Sequence, residues 1–293
     1  MMNNIRMKNR LTLFLLTVAV SLNLSTDVYG FTPWSQVEEY WVSADGKTPI
    51  DGAVEKGVTI TKYQNKAGSI NWRKMKADGI SFVMILLEHD DDSDQYFDEN
   101  VKGATNAGLK VGVFFYSSAK SQEEAEKEAR YVLNIIKDYR ISYPIGYNIE
   151  SSPLISGKVN KEQVTEQINT FCHEIEDAGY PTLVYGNHEW ISRYMDIRKI
   201  PYDIWYSRYG MANKYANRTM WRCTDNGKVN GIQGSVCLEF SFEDYQGAFQ
   251  ETGWRKINGV EYYFVKHQIA KIVTLTIDGQ KYYFDRRGIA TKR

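Results

Sequence analysis

Apolar and polar positions along this chain follow two alternating rhythms. Continuous apolar runs at 82–87 and 110–116 suit strands buried on both faces of a parallel sheet. Residues 58–60, 144–149, 182–185, 203–206, 220–224 and 236–240 read as further strands. Helical stretches lie between them. Those at 71–78, 98–107 and 161–178 are followed by Gly79, Gly108 and Gly179, where glycine fits the left-handed position after a helix. Ser121 and Glu124 form a capping box for a helix reaching about Tyr139.

Strand and helix alternating this regularly predict an α/β fold, a TIM-like β/α barrel. In such barrels the chemistry sits at the C-terminal strand ends. That rule singles out Glu88, Tyr116, Glu150, Tyr185 and Trp205. The tail changes character. Lys256-Ile257-Asn258-Gly259-Val260-Glu261-Tyr262-Tyr263-Phe264 matches the segment Thr276 to Phe284 at an offset of 20 residues. Each copy carries Asn-Gly or Asp-Gly between β-rich flanks, a strong hairpin signal, and tandem copies indicate a small C-terminal β-hairpin repeat module.

At the other end, Arg6, Lys8 and Arg10 precede an apolar stretch from Leu11 to Leu24, with Val28-Tyr29-Gly30 beyond it. This reads as a cleaved secretion signal, with an uncleaved membrane anchor as the alternative. The expected divisions are a signal peptide at 1–30, an N-terminal linker at 31–56, the barrel at 57–247 and the repeats at 248–293. No second apolar run follows, so no stable membrane span is expected after signal cleavage.

A formal net charge of zero gives no long-range field for nucleic acid. Aromatics make up 14% of the residues, with 21 Tyr and 7 Trp, which suits sugar stacking and core packing equally. Three cysteines, Cys172, Cys223 and Cys237, allow at most one intramolecular bridge. Neither they nor the scattered His89, His173, His188 and His267 have metal-ligand spacing, so no metal or cofactor is expected. The acidic run Asp90-Asp91-Asp92 with Asp94 reads as a solvated loop or a cation site.

Several segments resemble the family 25 glycoside hydrolases, the Chalaropsis-type lysozymes (N-acetylmuramidases). They include Asn71-Trp72-Arg73-Lys74-Met75-Lys76-Ala77-Asp78-Gly79, Ala107-Gly108-Leu109-Lys110-Val111-Gly112-Val113-Phe114-Phe115-Tyr116-Ser117, Gly179-Tyr180-Pro181, Tyr185-Gly186-Asn187 and Trp205 with Tyr209. The resemblance runs from Gly57 to Tyr245. It implies a β/α barrel with a groove for peptidoglycan or another cell-wall glycan, in a secreted bacterial protein that is extracellular or wall-associated. Glu150 would be the catalytic acid, with Asn148, Tyr116, Tyr185, Trp205 and Thr59 lining the substrate.

The resemblance also implies losses. The family's Gly-Val-Asp-Val-Ser strand is here Gly57-Val58-Thr59-Ile60-Thr61, and its Asp-x-Glu is Asn148-Ile149-Glu150. Its Val-Asp-Leu-Asn is Val236-Cys237-Leu238-Glu239. Thr59, Asn148 and Cys237 therefore stand where carboxylates are expected. Cleaving a glycosidic bond normally takes two carboxyl groups, so turnover should be weak or lost unless Glu88, Asp90 or Glu239 substitutes. The alternative is a non-catalytic glycan-binding or protein-interaction module on the same barrel. In the family pattern Cys223 and Cys237 stand at Tyr and Asp positions, and two such cysteines on neighbouring strands suggest a disulfide, the alternative being two free thiols. The C-terminal repeats resemble choline- or glucan-binding wall repeats, whose aromatic cages hold their ligand; Thr274 stands where the first copy has Trp254.

Overall fold

A computed structural model describes residues 33–37, 39–87, 96–150, 160–210 and 217–293. The expected signal peptide, Glu88 and the acidic run from Asp90 to Asp94 lie outside the described residues. Two short strands, β1 (Gln36–Val37) and β2 (Tyr40–Trp41), come first. Eight longer ones follow: β3 (Glu55–Ile60), β4 (Phe82–Leu87), β5 (Lys110–Tyr116), β6 (Ile145–Asn148), β7 (Thr182–Asn187), β8 (Asp203–Ser207), β9 (Arg218–Gly227) and β10 (Val236–Ser241).

These eight close into a barrel in the order β10-β3-β4-β5-β6-β7-β8-β9. The strands from β3 to β9 run parallel, each to the next. β10 is antiparallel to both neighbours, which departs from an all-parallel sheet. The reason is chain length: the few residues between Gly227 and Val236 cannot make the crossover that a parallel return needs.

Side chains cap several of the helices, and of the expected Ser121–Glu124 box only the Ser121 half forms, because Glu124 Oε2 accepts from Lys120 N–H. Before α2 (Trp72–Ala77), Asn71 Oδ1 accepts from Lys74 N–H at 3.0 Å. Before α4 (Gln122–Ile136), Ser121 Oγ accepts from Glu124 N–H at 3.2 Å. Asn160 caps α5 (Lys161–Asp177), and α3 (Phe97–Asn106) opens with Asp98 and Glu99 in its first turn, where negative charge meets the helix dipole. Helix α1 (Lys62–Ala67), capped by Thr61, is not expected from the apolar pattern because none of its residues is buried. In α4 the buried Ala125, Ala129, Val132, Leu133 and Ile136 recur at helical spacing and face the barrel.

Inside the barrel, small residues make room for large ones. A Cβ on Gly146 would lie 2.9 Å from the Trp205 ring, and one on Gly57 would lie within the Phe82 ring contact at 2.3 Å. Trp205 and Phe82 are fully buried in consequence.

Outside, the β9–β10–β3 wall has no crossover helix of its own among the described residues. Residues 33–37 and 39–54, within the expected linker, supply the cover instead. Trp34 packs edge-on to Trp221 with centroids 5.8 Å apart, Trp41 meets Phe240 at 5.7 Å, and Val42 and Ile50 are buried. Exposing that apolar wall would cost roughly 25 cal/mol per Å², which accounts for the packing.

The tail forms two three-stranded sheets: β11 (Gly253–Ile257), β12 (Val260–Val265) and β13 (Gln268–Ile269), then β14 (Val273–Ile277), β15 (Gln280–Phe284) and β16 (Ala290–Lys292). Both hairpin turns have positive φ at both central residues, Asn258-Gly259 and Asp278-Gly279, as a type I′ turn requires. The first repeat docks on the barrel: Arg255 lies over the Tyr180 ring at 5.1 Å, and Asn258 Nδ2 donates to Arg130 O. No helix among the described residues is long and apolar enough to cross a membrane.

Candidate active site at the barrel mouth

Side chains alternate across a strand, so every second residue of each barrel strand points inward. At the end of the barrel where the parallel strands finish and the antiparallel β10 begins, this brings Tyr116, Asn148, Tyr185, Ser207, Arg222, Cys237 and Thr59 around one opening, with Glu150 two residues beyond β6. Glu150 is partly buried. One of its carboxylate oxygens, Oε1, accepts from the backbone N–H of Asn187. Burial raises its pKa above the ordinary carboxyl range, while the Asn187 N–H and the charge of Arg222 pull the other way. A carboxyl held towards its protonated form is what a general acid needs.

The neighbours of Glu150 fix its backbone. Asn148 Oδ1 accepts from Glu150 N–H at 2.8 Å, and the Tyr116 hydroxyl donates to Glu150 O. Asn148 is buried, so its side chain is a backbone clamp; Tyr116 remains 45% exposed. Behind Tyr116, the buried Glu128 of α4 accepts from Ser117 Oγ at 2.7 Å, Ser118 N–H at 2.8 Å and Tyr147 OH at 2.9 Å. That cluster fastens the β5–α4 loop.

Below the mouth the interior is filled by an ion pair. Arg222 Nε donates to Glu239 Oε1 at 2.8 Å. Thr59 Oγ1 donates to the same oxygen at 2.7 Å and accepts from Arg222 Nη2 at 2.7 Å. Trp205 Nε1 donates to Glu239 Oε2 at 2.9 Å, and Arg222 Nη1 to Tyr185 OH at 3.2 Å. The guanidinium also lies 4.7 Å from the Tyr185 ring centroid, 4.8 Å from Trp205 and 5.6 Å from Phe114. Burial opposes its charge, but Glu239 outweighs that and raises the Arg222 pKa.

Four expectations change on this geometry. Trp205 is fully buried and Tyr185 nearly so, so these rings enclose the protein's own cation and are not open walls for sugar. Thr59 is spent inside the network and has no hydroxyl left for a ligand. Glu239 is fully buried with both oxygens engaged, which removes it as a substitute catalytic carboxylate. Cys223 and Cys237 are free, not bridged. Arg222 and Glu239 point inward, so Cys237, two residues from Glu239, points inward and Cys223, next to Arg222, points outward. There Cys223 Sγ donates to Leu238 O at 3.4 Å.

Arg222 and Glu128 had no role in the sequence reading. A signal for Arg222 existed: one Arg inside Met220-Trp221-Arg222-Cys223, opposite one Glu inside an equally apolar neighbouring strand, marks a buried pair. No group of three His, Cys, Asp or Glu side chains among the described residues has the geometry to hold a metal ion.

In the tail, Trp254 meets Tyr263 at 5.1 Å, Tyr282 at 5.4 Å and Phe284 at 6.0 Å between ring centroids. These rings pack on one another across the two repeats.

Comparison with known proteins agrees with the barrel. Residues 58–232 match the model of glycosyl hydrolases family 25. The autolytic lysozyme of Clostridium acetobutylicum is 26% identical over 190 residues, covering 64% of this chain and 56% of that protein. The chain thus aligns with little more than half the length of that relative. Lysozyme M1 of Streptomyces globisporus is 24% identical over 208 residues, 64% of this chain and 68% of its own. The structure of a family 25 glycosyl hydrolase from Bacillus anthracis superposes with a TM-score of 0.56 at 20% identity, covering 67% of this chain and 92% of that one. On its family match and its barrel, the chain belongs to glycosyl hydrolase family 25.

Proposed function

We propose that this is a secreted, peptidoglycan-directed protein of the lysozyme type whose glycosidase turnover is weak or lost. The observation that carries the reading is the pairing of Glu150 at the mouth with an Arg222–Glu239 ion pair beneath it. Glu150 has the burial of an acid that could protonate a leaving oxygen. Breaking the bond also needs a carboxylate to attack or to activate water, and to stabilise the oxocarbenium-like charge on the sugar. Asn148 and Thr59 offer no charge, and Glu239 is spent on Arg222. A guanidinium near developing positive charge gives no help either. Losing one such electrostatic group typically costs about 10²–10³ in rate.

The filled interior also supports a second reading, a non-catalytic glycan-binding or protein-interaction module on the same barrel. Co-sedimentation with purified peptidoglycan separates the two parts of the proposal. Protein that pellets with the wall supports wall binding; protein that stays in solution favours the interaction module. An Asn148→Asp variant then tests the cause of the lost turnover. It keeps the acceptor for Glu150 N–H and restores a charge, so it should release more reducing ends than the parent. Equal release from both would place the defect elsewhere.

A further inference from the structure

The main chain of Glu150 is held by Asn148 and Tyr116, but its carboxylate is held from another strand. Asn187, the last residue of β7, donates its backbone N–H to Glu150 Oε1. The turn that follows β7 aims that N–H.

Asn187 Oδ1 accepts from Trp190 N–H at 3.0 Å, the bond by which an asparagine caps the start of a helix. The cap leads into a single π-helical turn, Trp190–Tyr194, closed by Met195 N–H on Trp190 O at 3.1 Å. Such turns are rare and are found frequently at functional sites.

Further contacts fasten the turn. Gly186 leaves room for it: a Cβ there would lie 2.9 Å from Ile191 and 3.2 Å from Met195, both of which are buried. Ser192 Oγ donates to His188 O at 2.7 Å, and Thr165 Oγ1 of α5 accepts from Asp196 N–H at 2.9 Å. The turn is thus tied to β7 at one end and to α5 at the other.

We infer that Asn187 is a positioning residue for Glu150, its side-chain cap on Trp190 holding its backbone N–H on the carboxylate. The inference rests on the reading of Glu150 as the acid at the mouth. Among the described residues, the charged and titratable groups facing Glu150 are Arg222 of β9, Tyr116 of β5 and Tyr185 of β7. Burial is the largest influence on the Glu150 pKa and raises it. The Asn187 backbone N–H is the strongest influence the other way, ahead of Arg222 and of the Asn187 side chain. Loosening the cap therefore leaves burial less opposed.

The test is an NMR titration of the full chain, isotope-labelled at the glutamate carboxyl carbons. Absence of one resonance from Glu150→Gln identifies Glu150. Asn187→Ala removes the cap and should move the Glu150 midpoint upward. Asn187→Ser keeps an oxygen for Trp190 N–H, since serine caps about as well as asparagine, and should bring the midpoint most of the way back. Gly186→Ala displaces the same turn without touching Asn187 and should also move the midpoint upward, which covers the case of a poorly folded Asn187→Ala. A merely structural role would lower the melting temperature and leave the midpoint alone. Unchanged midpoints in Asn187→Ala and Gly186→Ala, or a Ser midpoint displaced as far as the Ala one, overturn the proposal. A parent midpoint below the ordinary carboxyl range, with the Ala shift intact, would sink the reading of Glu150 as an acid and leave the role of Asn187 standing.

Discussion

Arg222 and Glu239 face each other across β9 and β10 inside the barrel, Nε to Oε1 at 2.8 Å, with Thr59 bonded to both. Every polar atom of the Glu239 carboxylate has a partner there. A pair this well satisfied is costly to break from one side only, because the surviving charge is left buried. Arg222→Met should therefore destabilise the protein by roughly 3–5 kcal/mol, measured by urea unfolding. Adding Glu239→Leu should recover most of that loss. If the double variant is as unstable as the single one, the charge argument is wrong and packing around the guanidinium dominates.

The packing of Trp205 gives a second prediction. Gly146→Ala puts a methyl 2.9 Å from the indole. Overpacking of this kind costs about 1–3 kcal/mol, and it should tilt Trp205 off Glu239. A blue or red shift in tryptophan emission together with a lower melting temperature is expected. An unchanged melting temperature would show that the interior yields freely.

Glu150 makes stability depend on pH in a defined direction. Its folded pKa lies above the unfolded one, so the folded state holds the proton longer. The contribution is favourable at acid pH and is lost as pH rises past the ordinary carboxyl range. Glu150→Gln removes that dependence. The variant's melting temperature relative to the parent should therefore rise between about pH 4 and pH 7. A gap that shrinks over that range would mean that the Asn187 N–H and Arg222 outweigh burial.

The cysteines and the tail are tested together. With Cys172, Cys223 and Cys237 all free, unfolding without reductant should expose three titratable thiols. A count of one would restore the bridge. In the tail, Trp254 is packed by Tyr263, Tyr282 and Phe284. Saturating choline should leave the melting curve unchanged, whereas Trp254→Ala should lower it by about 3 kcal/mol or more in stability. Stabilisation by choline would show that the rings open into a cage.

The frame of the molecule was legible because its signals are local. Apolar runs at 82–87 and 110–116 coincide with β4 and β5, and the Ser121 and Asn258-Gly259 signals sit at the cap and turn they predict. The direction of β10 and the packing of residues 33–37 and 39–54 were not legible, since both depend on which wall lacks a helix. The site was half legible. Position along a strand put Glu150 and Tyr116 at the barrel mouth, where the structure has them in contact. It could not show that Trp205 and Tyr185 close around Arg222, because that follows from which inward side chains meet across the barrel. The cysteine pairing failed for the same reason: adjacency of strands says nothing about which face each thiol takes.

Turnover is the central claim, and the most direct measurement compares the parent with Glu150→Gln on purified peptidoglycan, counting new reducing ends by muropeptide mass analysis. The expected result is release by the parent that stays within about tenfold of the variant, as one acid without a partner would give. Release by the parent that exceeds the variant by about 10³ or more would contradict it, and would mean that Glu150 works with a partner carboxylate in an efficient muramidase.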